Sequence, residues 1–379
     1  MRKSEKSRHV ARYTPRFLTF RALRDRNRAT ASRRPGIFRH ALRGSNGVAL
    51  ITVILAVALI TTITAAMIAR QHIDIRRTTN IIHANKAYEY ARGIEIWATR
   101  LLARDMLQEE EKVDHLGEDW ASALPLTDVA GGTITGQILD LQGRFNLNNL
   151  VQTAVRDATA QDAIAQDAIA QGNDEQTRPS RESARFQRLL ERCDLAPGLV
   201  APVIDWLDED TKRSYPDGAE DYAYLGLDVP YRAANAAMAS PSELSLVLGF
   251  DYDAYVCLEP FISTLPTHTA INVNTAPADV LMALMNGITA TQAEQLASRR
   301  EVEPYVSVDD FLAQMDIVGI PIPETDADAF GDNTLSVNSN HYLIVADTQI
   351  GNVRVRLFSQ VERLDNGNVR VLSRGRENL

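Results

Sequence analysis

The stretch Gly44–Gln71, GSNGVALITVILAVALITTITAAMIARQ, is the strongest indication of the fold in this sequence. Its apolar part, Val48–Ala69, contains no charged residue. At about 1.5 Å per residue, a helix over this part is about 33 Å long, enough to cross the hydrocarbon core of a membrane. A removable secretion signal has a shorter apolar stretch, of roughly 7–15 residues, before a small-x-small cleavage site. We therefore expect a membrane-spanning helix that stays in the mature protein.

The 47 residues up to Gly47 form a strongly basic head, with 14 Lys and Arg residues and only Glu5 and Asp25 as acidic ones. Their net charge is +12, so the remaining residues carry −21 of the chain total of −9. A basic segment directly before an apolar span is typical of an N-terminus that stays in the cytoplasm. The acidic remainder argues against nucleic-acid binding, which needs a positive surface.

The helix is predicted to continue well beyond the span. Small and apolar residues recur every three or four positions from Ala84 to Leu101, and neither Pro nor Gly occurs between Val48 and Arg92. The sequence therefore predicts one helix of about 55 residues, apolar in its first half and amphipathic in its second. Because the amphipathic stripe, which includes Ile94, needs a cover, we expect it to bind a partner protein.

The basic head and the span together resemble a prepilin-type signal, which a membrane peptidase cuts on its cytoplasmic side. This resemblance places the cut after Gly47 and leaves Val48 as a methylated N-terminus, so that the apolar run serves first as a membrane span and later as fibre core. A signal anchor that is never cleaved is the alternative. Most pilins have glutamate as their fifth mature residue, whereas Thr52 occupies that place here. A subunit without this carboxylate suits the fibre tip, where no subunit precedes it.

Six sequence blocks after the span carry a more specific resemblance. They are HLGEDWASALP (His115–Pro125), ILDLQGRFNLNNL (Ile138–Leu150), DWLDED (Asp205–Asp210), PDGAEDYAY (Pro216–Tyr224), YRAANAAMASPSEL (Tyr231–Leu244) and INVNTAPADVL (Ile271–Leu281). In this order they closely resemble the minor pseudopilin K family of bacterial type II secretion, also called general secretion pathway protein K. The similarity covers nearly all of residues 44–379.

This resemblance implies a non-enzymatic subunit at the tip of the secretion pseudopilus, which initiates assembly and supports export across the outer membrane. It implies as partners the minor pseudopilins I and J, the major pseudopilin, the prepilin peptidase and the inner-membrane assembly platform. The protein would cross the bacterial inner membrane once, with its C-terminal domain in the periplasm. The alternatives are a minor pilin of a type IV pilus and a membrane-anchored helix-hairpin-helix receptor for DNA uptake.

No catalytic residue is predicted. The sequence contains none of the motifs G-x-S-x-G, Walker loop, H-E-x-x-H and C-x-x-C, and its seven histidines are scattered. A structural role is therefore expected.

The order of the patterns predicts an α+β fold, with a long pilin-like N-terminal helix, an antiparallel sheet and a large all-helical domain inserted into it. The resemblance describes that domain as SAM-like or helix-hairpin-helix-like. Strand patterns occupy Gly131–Leu141 and Leu335–Arg374, where Asp365-Asn366-Gly367 predicts a hairpin. Capping patterns at Ser240 and Ser307 predict helix starts between them.

Six segments are predicted along the chain. They are the basic leader 1–47, the transmembrane helix 48–69, the pilin-like helix and first strands 70–153, a low-complexity insertion 154–185, the inserted helical domain 186–325 and the C-terminal strands 326–379. A short extra helix is the alternative for 154–185.

Five carboxylates fall within a short, turn-rich segment, namely Asp208, Asp210, Asp217, Glu220 and Asp221. A turn there would bring their oxygens together, and calcium takes six to eight oxygen ligands. The spacing is not that of an EF-hand loop, and from the residues alone a solvated acidic surface is the better explanation. The resemblance implies instead that calcium binds here, because the inserted domain of this family binds it.

The segment 271–300 resembles a helix-hairpin-helix, a motif that binds DNA when its hairpin carries two glycines. Here Gly287 is present, but Thr289 occupies the second position. The surrounding residues 266–316 contain seven acidic residues and two arginines, which opposes phosphate binding. We therefore predict a structural module that binds no nucleic acid.

The two cysteines, Cys193 and Cys257, match no metal-binding spacing. A disulfide is possible if the body of the protein is exported, and two buried free thiols are the alternative.

Overall fold

The computed structural model describes residues 46–108, 112–151, 180–266, 268–320, 330 and 334–376. The chain divides into two units, Met1–Ala69 and Arg70–Leu379. The predicted leader, apart from Asn46 and Gly47, lies outside the described residues, as does most of the predicted low-complexity insertion.

A single helix, α1 (Asn46–Gln108), contains both the predicted span and the predicted amphipathic segment. In the part of the chain that the structure describes, it is the one helix long and apolar enough to cross a membrane. Its side chains from Gly47 to Ala69, which belong to the first unit, are all exposed. The prediction of one continuous helix is confirmed, because no proline interrupts its i to i−4 hydrogen bonds.

The described strands all belong to the second unit. They are β1 (Leu124–Val129), β2 (Gly132–Asp140), β3 (Phe145–Asn146), β4 (Ile262–Ser263), β5 (Ile271–Asn272), β6 (Leu335–Ser336), β7 (His341–Ile350), β8 (Val353–Arg363) and β9 (Val369–Arg376). Five of them form an antiparallel sheet in the order β1-β2-β7-β8-β9. This confirms the α+β prediction, including the hairpin between β8 and β9, where Gly367 has a φ of 77°.

The neighbouring strands β2 and β7 are far apart in the sequence. Their register runs from Gly132 opposite Ile350 to Asp140 opposite Tyr342. Everything between Asp140 and His341 is thus inserted between two paired strands, as predicted. The edge strand β1 was not predicted, because Pro125 and a mostly exposed side-chain pattern give it no apolar alternation.

The amphipathic part of α1 packs against one face of this sheet. Ala91 and Ile94 are buried with Ala346 of β7 and Leu357 of β8, and further along α1 Leu102 is fully buried. A Cβ at Gly136 of β2 would lie 2.7 Å from Cγ2 of Ile94, so glycine is needed for this close approach. The expectation that the stripe around Ile94 binds a partner is therefore wrong. The chain's own sheet covers it.

The described part of the insertion contains seven α-helices. They are α2 (Arg181–Arg192), α3 (Val200–Leu207), α4 (Asp221–Leu225), α5 (Tyr252–Leu258), α6 (Ala278–Ala283), α7 (Ala290–Val302) and α8 (Val308–Ile317). Ser307 caps α8 as predicted, accepting a hydrogen bond from the Asp310 N–H, and Ser240 forms the predicted capping box at the start of a 3-10 helix, Pro241–Leu246.

Two features of the insertion differ from the prediction of an all-helical domain over 186–325. First, it contains two short parallel strand pairs, β3 with β4 and β5 with β6. Second, its apolar core begins earlier, because Phe145, Leu147 and Leu150 are buried in it and Phe145 stacks on Phe186. The core forms from whichever segments meet in space, so its limits do not coincide with a change in sequence pattern.

The segment that resembles a helix-hairpin-helix contains α6 and α7. Between α6 and α7, Gly287 adopts a φ of 89°, which favours glycine. Thr289 caps α7 by accepting a hydrogen bond from the Gln292 N–H, and the Gln292 side chain completes the capping box. At the second hairpin position, Thr289 therefore begins α7, and its hydroxyl accepts from a backbone N–H at the start of that helix.

The two cysteines are joined in a disulfide between the residue after α2 and α5, with the Cα atoms of Cys193 and Cys257 6.0 Å apart. It ties two helices of the insertion together.

A buried ion-pair network joins the end of α1, the segment between α1 and β1, and the sheet. Arg363 of β8 donates from Nη1 to Asp105 at 2.8 Å and from Nη2 to both carboxylate oxygens of Asp114. Nearby, the buried Asp140 accepts hydrogen bonds from the hydroxyls of Thr275 and Ser339 at 2.5 and 2.6 Å. Burial raises the pKa of Asp140 to about 6.

Candidate functional site

The acidic segment Asp208–Asp221 runs from the end of α3 to the start of α4. Asp208 follows the last residue of α3, its N–H donating to the Ile204 carbonyl at 2.9 Å. Glu220 is the residue before the first turn of α4. The loop between them folds back, so that one carboxylate oxygen each from Asp208, Asp210 and Glu220 lies within 4.8 Å of the others.

Several oxygens at this site are buried and have no hydrogen-bond partner among the residues that the structure describes. They are both carboxylate oxygens of Glu220, Oδ1 of Asp208 and Oδ1 of Asn235. The Asn235 amide is held in place by its Nδ2, which donates to the Asp210 carbonyl at 2.7 Å. Buried acceptors without donors are costly, so these oxygens favour a cation between them.

The electrostatics of the site point the same way. Burial is the largest cause, and repulsion from Asp205 and Asp208 a smaller one, of the raised pKa of Glu220, which is about 7. Burial, followed by repulsion from Asp210 and Asp205, raises the pKa of Asp208 to about 6. A bound divalent cation would reverse both effects, because it stabilises the charged carboxylates.

Two of the five predicted carboxylates have other surroundings. Asp221 accepts a hydrogen bond from the Ala233 N–H at 3.1 Å and lies 3.5 Å from Nη1 of Arg232. Asp217 packs over Gly198, at the N-terminal end of α3. The structure thus places neither residue in the group that could share a cation.

Two residues of the site were not predicted from the sequence. Asn235 contributes a buried oxygen, and the fully buried Asp205 accepts from the Ser214 N–H at 3.0 and 3.2 Å and so holds the loop. Both lie in blocks that carry the family resemblance, but an asparagine 15 residues from Glu220 gives no local signal of a shared site.

A second carboxylate group, Asp105 with Asp114 and Glu118, does not suit a cation. The guanidinium of Arg363 already lies between Asp105 and Asp114 and supplies the compensating charge. Among the groups of carboxylates in the described residues, the one around Glu220 is therefore the candidate metal site.

The predicted processing residues lie at the start of α1. Gly47 and Val48 are exposed within its first turn, so nothing in the described residues covers the bond between them. The Thr52 hydroxyl donates to the Ala49 carbonyl at 2.9 Å. Thr52 therefore satisfies its own polar group within the helix and offers no charge to a neighbouring subunit.

Comparison with known proteins shows to which protein family this chain belongs. The family described as "Type II secretion system (T2SS), protein K" matches residues 143–267 and 271–333. Type II secretion system protein K of Pseudomonas aeruginosa is 36% identical over 88% of this chain and 93% of its own length. The chain belongs to the type II secretion system protein K family. It is a minor pseudopilin, a structural component of type II secretion, which decides against the type IV pilus and DNA-uptake alternatives.

Other relatives and one solved structure agree. Protein K of Pectobacterium carotovorum is 32% identical over 80% of this chain and 88% of its own, and that of Aeromonas hydrophila is 29% identical over 84% and 92%. The crystal structure of the GspK-GspI-GspJ complex from enterotoxigenic Escherichia coli matches with a TM-score of 0.65 and 24% identity, over 80% of this chain and 100% of that one. This likeness confirms the fold.

Proposed function

We propose that this pseudopilin occupies the tip of the pseudopilus, where it initiates assembly and supports protein export across the outer membrane. The observation that carries the proposal is the large insertion between β2 and β7. Subunits along a fibre shaft must pack side by side, and a helical domain inserted in the sheet adds bulk that only an end position accommodates. Thr52 supports the same position, because it has no carboxylate to pair with the ammonium of a preceding subunit.

Localisation on isolated pseudopili tests the tip position directly. Gold-labelled antibody against the insertion should mark one end of each fibre, and an excess of this protein should shorten the fibres. Label along the whole shaft would refute the proposal.

We further propose that the minor pseudopilins I and J of the same system bind the face of α1 that points away from the sheet. In the solved E. coli complex, a protein of this fold is assembled with GspI and GspJ. Here Ile82, Ile96 and Trp97 lie on the uncovered face and are 58%, 44% and 41% exposed. Exposed apolar side chains in a row along a helix are typical of a helix-helix interface.

Co-purification of the full chain with I and J in neutral detergent tests this interface. Trp97→Asp should reduce the recovered complex at least tenfold, by burying a charge in an apolar contact. Leu126→Asp, at a 73% exposed position on β1, is the matched control and should leave recovery unchanged. Equal recovery with both variants would reject this face of α1.

The prepilin peptidase is proposed to cut between Gly47 and Val48 before the major pseudopilin and the inner-membrane assembly platform receive the protein. Intact-mass analysis of protein from membranes should give a chain that begins at Val48 and carries one methyl group, and Gly47→Leu should retain the leader. A wild-type chain that still begins at Met1 would contradict this step. Alkaline extraction should leave the chain in the inner membrane, with the insertion accessible to protease from the periplasm.

We also propose that the site around Glu220 binds calcium. Carboxylate and amide oxygens are the ligands that calcium prefers, and Asp208, Asp210, Glu220 and Asn235 offer four of them. When bound, the ion neutralises mutually repelling carboxylates and so holds the loop between α3 and α4. Thermal unfolding should shift to lower temperature on addition of a chelator, and Asn235→Ala should reduce that response, whereas Asp221→Asn should keep it.

A further inference from the structure

A groove lies beside the part of α1 that follows the apolar span. Its volume is about 680 Å³, and it is lined by Ile73, Arg76, Arg77, Asn80, Ile81 and Val353 together with Ala84. Its walls are therefore amphiphilic, with two guanidinium groups and one amide among aliphatic side chains. All these residues belong to the second unit.

The two arginines of the groove, Arg76 and Arg77, give it a positive charge. Within the described residues neither forms an ion pair, whereas two other arginines of α1, Arg92 and Arg104, do. Asp74 is the one acidic residue between Arg70 and Ile81. This positive patch stands out on a chain whose residues after the leader carry a net charge of −21. Its charge complements an anion.

The arginines of the groove follow shortly after the apolar span on α1. Arg76 and Arg77 follow the last apolar residue of the span, Ala69, by about 10–12 Å along the helix axis. The polar headgroup region of a bilayer extends roughly 5–8 Å beyond its hydrocarbon core. Side chains on a helix lean towards its N-terminus, which here is the membrane side, so both guanidinium groups lean back into that region.

We propose that this groove binds the headgroup of an anionic phospholipid from the membrane that α1 spans. The phosphate would accept hydrogen bonds from Arg76, Arg77 and the Asn80 amide, while Ile73, which lies nearer the membrane along α1, contacts the apolar part of the lipid. The lipid then keeps the base of the second unit at the membrane surface until the subunit enters the fibre. The inference rests on the membrane anchoring in the proposed function.

Native mass spectrometry of the full chain in a neutral detergent tests the proposal. The protein is titrated with phosphatidylglycerol or phosphatidylcholine, and the ratio of the two apparent dissociation constants is measured. Each arginine should contribute about fivefold to the preference for phosphatidylglycerol, so that Arg76→Gln and Arg77→Gln each lose about fivefold. The double variant should lose about twenty-fivefold, and high salt should weaken the wild-type preference.

The matched control is Arg100→Gln, the same change at an exposed position of α1 about 35 Å further along the helix. It should retain the full preference. Inorganic phosphate should not displace the lipid, and displacement at the same concentration would mean a phosphate site instead. The proposal would be overturned if the double variant preferred phosphatidylglycerol as strongly as the wild type does, or if the wild type showed no preference. The groove would then be a candidate binding site for a helix of another protein. Alkaline extraction separately shows whether the chain is anchored, so failure of the anchoring itself is distinguishable.

Discussion

The buried guanidinium of Arg363 offers a quantitative test of how the second unit holds together. Its side chain is 3% exposed, and it contacts Asp105 and Asp114 of two other segments and donates to the Ser339 carbonyl at 2.8 Å. Arg363→Met fills most of the volume but leaves two carboxylates buried without their cation. Removing one partner of a buried ion pair costs about 3–5 kcal/mol, so we expect the free energy of unfolding to fall by that amount.

Urea unfolding of the full chain in neutral detergent measures this loss. The fluorescence of Trp120 reports on the right region, because its ring packs edge-on against Tyr342 with centroids 5.2 Å apart. Arg370→Met is the matched control, since Arg370 pairs with Glu362 but is 62% exposed. An exposed ion pair contributes about 0–1 kcal/mol, and the control should lose no more than that.

The pH dependence of the loss identifies its cause. Burial raises the pKa of Asp105, while the charge of Arg363 lowers it. Without the arginine the pKa of Asp105 rises further, so the carboxyl takes up a proton at a higher pH and its burial becomes less costly. The difference between variant and wild type should therefore shrink as the pH falls. A loss that is equal in the control, or that does not change with pH, would refute the argument.

Three further outcomes are expected. Burial raises the pKa of Glu220 from 4.5 to about 7, so the folded, calcium-free protein should lose stability as the pH rises through this interval. Thermal unfolding in the presence of a chelator measures this loss at each pH. Glu220→Gln should remove the pH dependence. Gly136→Val should lower the free energy of unfolding, measured in urea, by about 1–3 kcal/mol, because the valine side chain meets Ile94. Gly93→Ala should not lower it, because the added methyl group points into open space. Replacing both Cys193 and Cys257 by serine should lower the free energy of unfolding by about 2–4 kcal/mol. An unchanged midpoint of urea unfolding would contradict a stabilising disulfide.

Several features could be predicted because short stretches of sequence determine them. The continuity of α1 follows from the absence of proline, the turn between β8 and β9 from Asn366-Gly367, and the start of α8 from the Ser307 hydroxyl. In each case the residues that act lie within about four positions of one another. The order of such local signals was also sufficient to predict an insertion between two strands.

The candidate metal site could be predicted only in part. Asp208 and Asp210 are close in the sequence, but whether Glu220 or Asp221 turns towards them depends on where α4 begins. A change of one residue at a helix start rotates a side chain by about 100°, from the shared site to its outside. Asn235 comes from a separate segment, so its oxygen gave no signal in the local pattern.

By itself, then, the sequence determined several elements of this protein: the span, the helix that continues it, the hairpin between β8 and β9 and the helix starts at Ser240 and Ser307. The tertiary structure alone decided what each element touches. Periodicity showed that Ile94 lies on an apolar face, but only the fold showed that the sheet covers it. Likewise, Arg363 and Asp114 pair across 249 positions of the chain. Propensities act between neighbouring residues, whereas burial and ion pairing depend on segments that meet only after folding.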